Sequence, residues 1–367
     1  MTRIIISGGG TGGHIFPAIA IANALRVYEP EVEILFIGAK GRMEMEKVPA
    51  AGYRIRGLWI SGLQRRITWK NLSFPLKVIS SLIQADRILA KFKPDAVIGV
   101  GGYASGPTLR VAVRRKIPAL IQEQNSFPGI TNKLLGGKVD KICVAYEGME
   151  RFFPTGKIIL TGNPVRQDII NPANKTQALE HFHLNTENKV VLIIGGSLGA
   201  GTINKSVLNY LNQHAEQGFI QLLWQTGKNH FNLIKSNQKI LNRKDLHIYP
   251  FIDRMDLAYA AADIIISRAG AIAISELCII GKPVILIPSP NVAEDHQTKN
   301  AATLARKSAA LMLKDQDSVG KLFDLIKNLA ADHELQNELS RNIKTMALPE
   351  AASVIAEETM KLIRRKE

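Results

Sequence analysis

The sequence predicts an α/β protein made of two doubly wound parallel-sheet domains. Short apolar runs, typical of buried strands, alternate with longer helical segments. Glycine-rich turns follow several of these runs, and the pattern restarts after a polar stretch at residues 171–189. With 367 residues the chain is long enough for two domains of ordinary size. We therefore expect one domain over residues 1–166 and a second over residues 167–349, with a ligand held between them.

Composition narrows the class of protein. The net charge of +15 favours an acidic partner, such as an anionic membrane surface or a phosphate-rich substrate. Cys143 and Cys278 lie in apolar runs and are predicted to be buried thiols. The segment before the first glycines is too short for a signal peptide, and no apolar run of about 18 residues is present. We expect a cytoplasmic protein.

The first glycine loop follows a predicted strand at residues 3–7 and precedes a predicted helix at 15–28. Gly8, Gly10 and Gly13 fit the pattern G-x-G-x-x-G in the expected strand–loop–helix context. A dinucleotide site would also need an acidic residue at the end of the second strand, which ends in residues 38–40 without one. A nicotinamide cofactor is therefore disfavoured, and the loop is expected to let a ligand approach the backbone.

The remaining strands follow in chain order, and their carboxyl ends should form the ligand crevice of each sheet. In the first half they are predicted at residues 33–37, 53–58, 96–100, 119–122, 141–144 and 158–160. In the second half they are predicted at 189–194, 220–225, 246–249, 263–266, 283–287 and 309–313, with helices at 202–215 and 351–365.

Residues 267–276 are the most informative stretch of the second half. A strand, a tight glycine turn and a helix N-terminus present unpaired backbone N–H groups and a positive dipole end, which suit a phosphate. Glu276 lies about one and a half turns into that helix, where its carboxylate would suit a ribose diol. The alternative is an ordinary strand–helix unit with a solvated glutamate.

A basic and apolar segment at residues 62–93 is predicted to meet an anionic membrane surface. Cations would serve the headgroups and apolar side chains the interface. The alternative is a helix that buries Leu72, Ile79 and Ile83 and leaves a basic face in water. Nucleic-acid binding is disfavoured, because aromatic residues are only 6% and do not cluster. The predicted membrane and acceptor residues are Arg65, Arg66, Trp69, Lys70, Leu72, Phe74 and Lys77.

The catalytic motifs that are missing narrow the chemistry. The sequence contains no P-loop and no His/Cys/Asp/Glu cluster with metal-ligand spacing. Phosphate-tolerant turns and a diol-binding glutamate suit transfer from a nucleotide-activated donor. His14, at the end of the first glycine loop, is the candidate general base. The alternative is that His14 only packs at a helix N-terminus.

Seven motifs follow one another along the chain, at residues 8–17, 101–107, 123–125, 131–133, 162–166, 195–197 and 267–276. Taken in this order, they resemble the bacterial N-acetylglucosaminyltransferases that convert lipid I to lipid II in peptidoglycan synthesis. The resemblance covers nearly the whole chain. It implies the GT-B architecture of two Rossmann-like domains facing a cleft, with a C-terminal helix at 350–367 that packs back on the first domain.

The resemblance also implies a set of donor contacts. Those near the acetylglucosamine and diphosphate are Thr11, Gly12, Gly13 and Asn125. Arg166 and Ser197 would contact the nucleotide or its phosphates, the backbone of Ile252 the uracil, and Gln297 the sugar hydroxyls. The diphosphate and ribose would be held by Ala271, Ile272, Ala273, Ile274, Ser275 and Glu276.

The implied reaction is an inverting transfer of N-acetylglucosamine from UDP-N-acetylglucosamine to the C4 hydroxyl of the muramoyl sugar of undecaprenyl-diphosphate-linked muramoylpentapeptide. No obligatory metal or other cofactor is expected. The enzyme would be a peripheral protein on the cytoplasmic face of the bacterial inner membrane. The alternatives are another GT-B glycosyltransferase with a different lipid acceptor, or a non-catalytic UDP-sugar-binding module.

The chain departs from the family pattern at two positions. Relatives often carry histidine where this chain has Gln122, so an acid–base role at that position is excluded. Leu198 replaces a common glutamine and cannot hydrogen-bond to the donor.

Overall fold

The structure is a computed structural model that describes residues 1–62, 74–171, 173–196, 199–214, 220–237, 240, 243–292 and 295–365. Its contacts divide the chain into two compact units. Unit 1 comprises Met1–Arg166 and Leu348–Glu367, and unit 2 comprises Gln167–Ala347. The C-terminal segment therefore belongs to unit 1.

Unit 1 is built on a parallel sheet with seven strands in the described residues, in the order β3-β2-β1-β4-β5-β6-β7. Both faces of this sheet are covered. Ile4 and Ile6 point into one core cluster and Ile5 into another, as the two-residue period of a strand requires. The strands are β1 (Arg3–Gly8), β2 (Glu33–Ala39), β3 (Arg54–Leu58), β4 (Ala96–Gly101), β5 (Ala119–Glu123), β6 (Lys141–Val144) and β7 (Ile158–Leu160).

Helices cover both faces of the unit 1 sheet. They are α1 (Gly12–Tyr28), α2 (Glu44–Ala50), α3 (Phe74–Phe92), α4 (Ser105–Arg114), α5 (Ile130–Gly136) and the C-terminal α15 (Ala351–Arg364). Helix α15 packs against α1, where Ile355 and Met360 share a core cluster with Ile15 and Ile21.

Unit 2 repeats the same architecture with six parallel strands in its described part, in the order β10-β9-β8-β11-β12-β13. Its strands are β8 (Lys189–Ile194), β9 (Ile220–Gln225), β10 (Leu246–Tyr249), β11 (Ile264–Ser267), β12 (Val284–Leu286) and β13 (Leu311–Met312). Its helices are α6 (Gln167–Ile170), α7 (Lys175–His181), α8 (Gly201–Gln213), α9 (Lys228–Lys235), α10 (Met255–Ala261), α11 (Ala271–Ile280), α12 (His296–Arg306), α13 (Ser318–Ala331) and α14 (His333–Lys344).

The predicted fold class of two doubly wound parallel sheets is confirmed, and some element bounds differ. Helix α1 begins at Gly12 rather than at residue 15, because the Thr11 carbonyl accepts the amides of His14 and Ile15. The predicted strand at 309–313 is only the short β13. Both cysteines are buried as predicted, and burial raises the pKa of each thiol to about 12.

Candidate active site

Each sheet has a point where its strand order reverses, and ligands of doubly wound proteins bind at such points. In unit 1 this point lies between β1 and β4, whose carboxyl ends lead into the glycine-containing loops at residues 8–13 and 101–106. In unit 2 it lies between β8 and β11, whose ends lead into Gly195–Gly196 and the N-terminus of α11. The predicted glycine motifs are thus located at both reversals.

His14 lies in the first turn of α1 at the unit 1 reversal. Its Nδ1 is 3.1 Å from the Gly9 carbonyl oxygen and 3.2 Å from Oγ1 of Thr11. A carbonyl oxygen can only accept a hydrogen bond, so Nδ1 carries the ring proton and donates a hydrogen bond to the Gly9 carbonyl. The Nε2 atom then has the lone pair that a general base needs.

The glycine loops after β1 and β4 pack tightly against each other and against this imidazole. A methyl group at Gly101 would lie 2.8 Å from Nε2 of His14. One at Gly102, where φ is +83°, would lie 2.2 Å from the Gly9 carbonyl oxygen. Both positions require glycine, and the contact fixes the plane of the His14 ring.

Burial lowers the pKa of His14 below its ordinary value of 6.5, and this effect exceeds two opposing ones. The Gly9 carbonyl and the charge of Glu44 both act to raise that pKa. His14 is therefore neutral at neutral pH, which is the state required of a base.

Glu44, on α2, is a site residue that sequence reasoning missed. Its Oε2 accepts from the amide of Gly10 at 2.8 Å, and its Oε1 accepts from the amide of Ala39 at 2.9 Å. Its side chain is 0% exposed. The strand β2 itself ends without an acidic residue, as the sequence predicts, and Glu44 instead brings a carboxylate from the next helix to the glycine loop.

The loop after β5 is organised by Glu123. This buried carboxylate accepts from the amides of Asn125 and Gly129 and from Nδ2 of Asn132, at 3.0, 3.2 and 2.7 Å. Burial raises the pKa of Glu123, and these donors oppose that rise. The predicted donor residue Asn125 is thus held at the carboxyl edge of the unit 1 sheet.

Gln122, at the departure from the family pattern, belongs to a buried amide network. Its Nε2 donates to Oδ1 of Asn163 at 3.0 Å, and Nε2 of Gln124 donates to Oε1 of Gln122. Nδ2 of Asn163 returns a bond to the Gln124 carbonyl at 3.1 Å. Gln122 therefore ties β5 to the segment before the half-buried Arg166.

In unit 2, the predicted phosphate-binding helix is α11. Gly270 precedes it with φ −65° and ψ 143°, and its first residues, Ala271–Ala273, are only partly buried. Glu276 lies on the second turn, also half-buried, and its Oε2 accepts from the hydroxyl of Tyr259 at 3.0 Å. Tyr259 is a second residue that sequence reasoning missed.

Gln225, at the end of β9, connects two predicted donor segments of unit 2. Its Nε2 donates to the Gly196 carbonyl at 3.1 Å, and its Oε1 accepts from the amide of Ile252 at 2.8 Å. Ile252 itself is buried. The predicted contact Ser197 and the departure from the family pattern at Leu198 both lie outside the described residues.

Two further features complete the carboxyl edge of unit 2. Gln297 lies in the first turn of α12, and its Oε1 accepts a 2.8 Å hydrogen bond from the backbone amide of Ser289. Arg268 donates to the Ile287 carbonyl at 3.0 Å and pairs with Asp315, so its guanidinium braces the loop before α11.

The predicted membrane segment is only partly described. Arg65, Arg66, Trp69, Lys70 and Leu72 lie outside the described residues. Phe74 begins α3 and is half-buried, and Lys77 donates to Oγ of Ser61 at 3.0 Å.

Helix α3 presents an apolar face to solvent. Leu76 is 63% exposed, Ile79 56% and Ile83 47%, and their spacing places them on one side of the helix. Exposed Trp59 lies nearby, with Nζ of Lys77 5.9 Å from its ring centroid. The alternative in which Ile79 and Ile83 are buried is wrong. Across the described residues, no helix has the length and apolar character needed to cross a bilayer.

These two sheets, with a histidine at one reversal and a helix N-terminus with a carboxylate at the other, fit the GT-B fold of nucleotide-sugar enzymes. Residues 4–144 match the glycosyltransferase family 28 N-terminal domain, and residues 190–355 match the glycosyltransferase family 28 C-terminal domain. The chain belongs to glycosyltransferase family 28.

Full-length relatives agree with this assignment. The chain is 53% identical over 98% of both chains to a Flavobacterium psychrophilum protein and 52% identical over 99% of both chains to one from Parabacteroides distasonis. Both are named UDP-N-acetylglucosamine–N-acetylmuramyl-(pentapeptide) pyrophosphoryl-undecaprenol N-acetylglucosamine transferase. The crystal structure of Acinetobacter baumannii MurG matches with a TM-score of 0.77 and 27% identity, over 98% of this chain and 100% of that one.

Proposed function

We propose that this protein transfers N-acetylglucosamine from UDP-N-acetylglucosamine to the C4 hydroxyl of the muramoyl sugar of undecaprenyl-diphosphate-linked muramoylpentapeptide, with inversion. The observation that carries the proposal is the match, over both units, to relatives named for this transfer. The geometry of each unit supports it, because one presents a histidine oriented to act as a base and the other presents a helix N-terminus that suits an anion, with a carboxylate on the same helix.

The donor is bound by unit 2 in this proposal. The partly buried N-terminus of α11 directs backbone N–H groups and its positive dipole end at the diphosphate. Glu276 accepts hydrogen bonds from the ribose hydroxyls, and Tyr259 holds its carboxylate in place. Ile252 lies at the uracil and Gln297 at the sugar hydroxyls.

The chemistry is a single displacement at the anomeric carbon of the donor sugar. The acceptor hydroxyl gives its proton to Nε2 of His14 as its oxygen bonds to C1. The bond between C1 and the diphosphate oxygen breaks, and UDP leaves with the electron pair. The N-terminus of α11 stabilises the charge that develops on the diphosphate.

The acceptor is lipid-linked, so we place the protein on the cytoplasmic face of the inner membrane as a peripheral protein. The apolar face of α3 would enter the interface, and the strongly positive chain would be drawn to anionic headgroups. Leu76, Ile79 and Ile83 supply the apolar contact, and Lys77 and Arg87 of the same helix supply positive charge.

UDP release from UDP-N-acetylglucosamine, measured with and without a short-chain lipid I analogue, tests the function. We expect release only with that acceptor. Transfer to an unrelated lipid-linked sugar but not to the analogue would favour a GT-B enzyme with another acceptor. Binding of the donor without release under any of these conditions would favour a binding module.

A further inference from the structure

The buried carboxylate of Glu44 joins three parts of unit 1. One oxygen accepts from Gly10 in the first glycine loop and the other from Ala39 at the end of β2, while the residue itself lies on α2. A methyl group at Gly9 would lie 2.2 Å from Oε1, so the loop backbone rests directly on the carboxylate. Such charge-assisted bonds are stronger than neutral ones and fix geometry.

The same carboxylate acts on His14. The imidazole lies in the first turn of α1, where the positive end of the helix dipole disfavours a second positive charge. Burial acts in the same direction, while the charge of Glu44 opposes both. The uncharged Thr11, Gly9 and Gly101 also contact this imidazole.

We propose that Glu44 is a positioning residue for the transfer: it fixes the first glycine loop against β2 and places a negative charge against Gly9, whose carbonyl accepts from Nδ1 of His14, and this charge favours a proton on that imidazole. This inference rests on the proposed function, in which His14 removes the proton of the acceptor hydroxyl.

The test is the pH profile of kcat and kcat/KM for Glu44→Gln, with UDP-N-acetylglucosamine and a short-chain lipid I analogue as substrates. Glutamine keeps the size of the side chain and removes its charge. We expect the acid limb of kcat/KM to move to lower pH and the plateau of kcat to fall, while KM for the donor stays within about twofold. An acid limb at the wild-type pH would overturn the proposal, even if turnover fell.

Glu46→Gln is the matched control, because Glu46 is on the same helix and exposed. Its profile should equal that of the wild type. If Glu44→Gln does not fold, Glu44→Asp replaces it, since a shorter carboxylate keeps the charge but does not reach both amides. Turnover should then fall with an unmoved acid limb, and unchanged turnover would contradict the proposal.

The wild-type profile separates this inference from the proposed function. A wild type that releases no UDP with the lipid I analogue would refute the function itself. A wild type that transfers normally, with an acid limb that His14→Gln removes and Glu44→Gln leaves in place, would refute only the role of Glu44.

Discussion

The hydroxyl of Tyr259 donates a 3.0 Å hydrogen bond to Oε2 of Glu276, and this bond joins α10 to α11 at the carboxyl edge of unit 2. Tyr259 is 1% exposed, so its ring is held by the core around it. The bond transfers that rigidity to a carboxylate on a more accessible helix. A carboxylate held in one orientation before the ribose arrives loses less entropy on binding.

Removing this bond should weaken nucleotide binding. We expect Tyr259→Phe to raise the Kd for UDP about fivefold, which corresponds to about 1 kcal/mol for one hydrogen bond. Glu276→Ala should raise it more, because the proposed ribose contact is lost as well. Isothermal titration with UDP measures both. Tyr210→Phe, which keeps a ring stacked on Phe323 in the same unit, is the control and should bind normally.

Loss of the proposed general base should lower the turnover number and leave the affinity for the donor nucleotide almost unchanged. We expect His14→Gln to lower kcat by about 10²- to 10⁴-fold, the usual contribution of general base catalysis, with little change in UDP affinity. Steady-state kinetics and UDP titration measure the two effects separately. Near-normal turnover would exclude His14 as the base.

The lowered pKa of His14 also predicts how stability depends on pH. Between that lowered pKa and the ordinary 6.5, the unfolded chain binds more protons than the folded chain. The contribution of His14 is therefore fully present above about 6.5 and is lost as pH falls through the folded pKa. Urea unfolding at a series of pH values should show that the free energy of unfolding falls less steeply with decreasing pH in His14→Gln than in the wild type. Parallel curves would contradict the prediction.

Gln225 should couple the binding of the uracil to the binding of the diphosphate within unit 2. We expect Gln225→Ala to raise KM for UDP-N-acetylglucosamine with a smaller effect on kcat, because both Gly196 and Ile252 lose a partner. The free energy of unfolding should also fall by about 1–3 kcal/mol, the cost of leaving buried polar groups unpaired. Denaturant unfolding measures the second effect. A kcat loss with KM unchanged would show that Gln225 does not act on the donor.

The exposed face of α3 should determine membrane binding. We expect Leu76→Ser combined with Ile79→Ser to weaken binding to anionic vesicles by at least about tenfold, since each buried apolar side chain contributes about 1.5–3 kcal/mol. Sedimentation with vesicles measures this. Leu233→Ser, at a 75% exposed leucine of unit 2, is the control. Equal binding by the double variant would place the membrane contact elsewhere.

Much of the fold was predictable because its signals are local. Apolar runs such as Ile4–Ile6 and Ile264–Ile266 predict buried strands. The glycines that follow these runs predict turns at the carboxyl ends of the strands. His14 and Glu276 were found by their positions after such turns. The roles of His14 and Glu276 stay predictions. So do the donor contact of Ser197 and the membrane contact of the basic residues in segment 62–93.

Other residues were missed because their partners are distant in the sequence. Glu44 reaches Gly10 across 34 positions, and Gln225 reaches Ile252 across 27. No local pattern marks either side chain, since each is an ordinary polar residue until neighbouring strands place a backbone amide beside it. The start of α1 was also misplaced, because glycines disfavour a helix locally while the fold holds them in one.

The sequence by itself determined the alternation of strands and helices, the division into two halves and the positions of the glycine turns. The spacing of apolar residues and the backbone freedom of glycine are both effects that act over a few residues. Only the tertiary structure decided which tautomer of His14 is present, which carboxylate lies beneath the glycine loop and which face of α3 meets solvent. Those features depend on sheet register and on the rotation of helices against the sheet. Both are set by the packing of the whole unit.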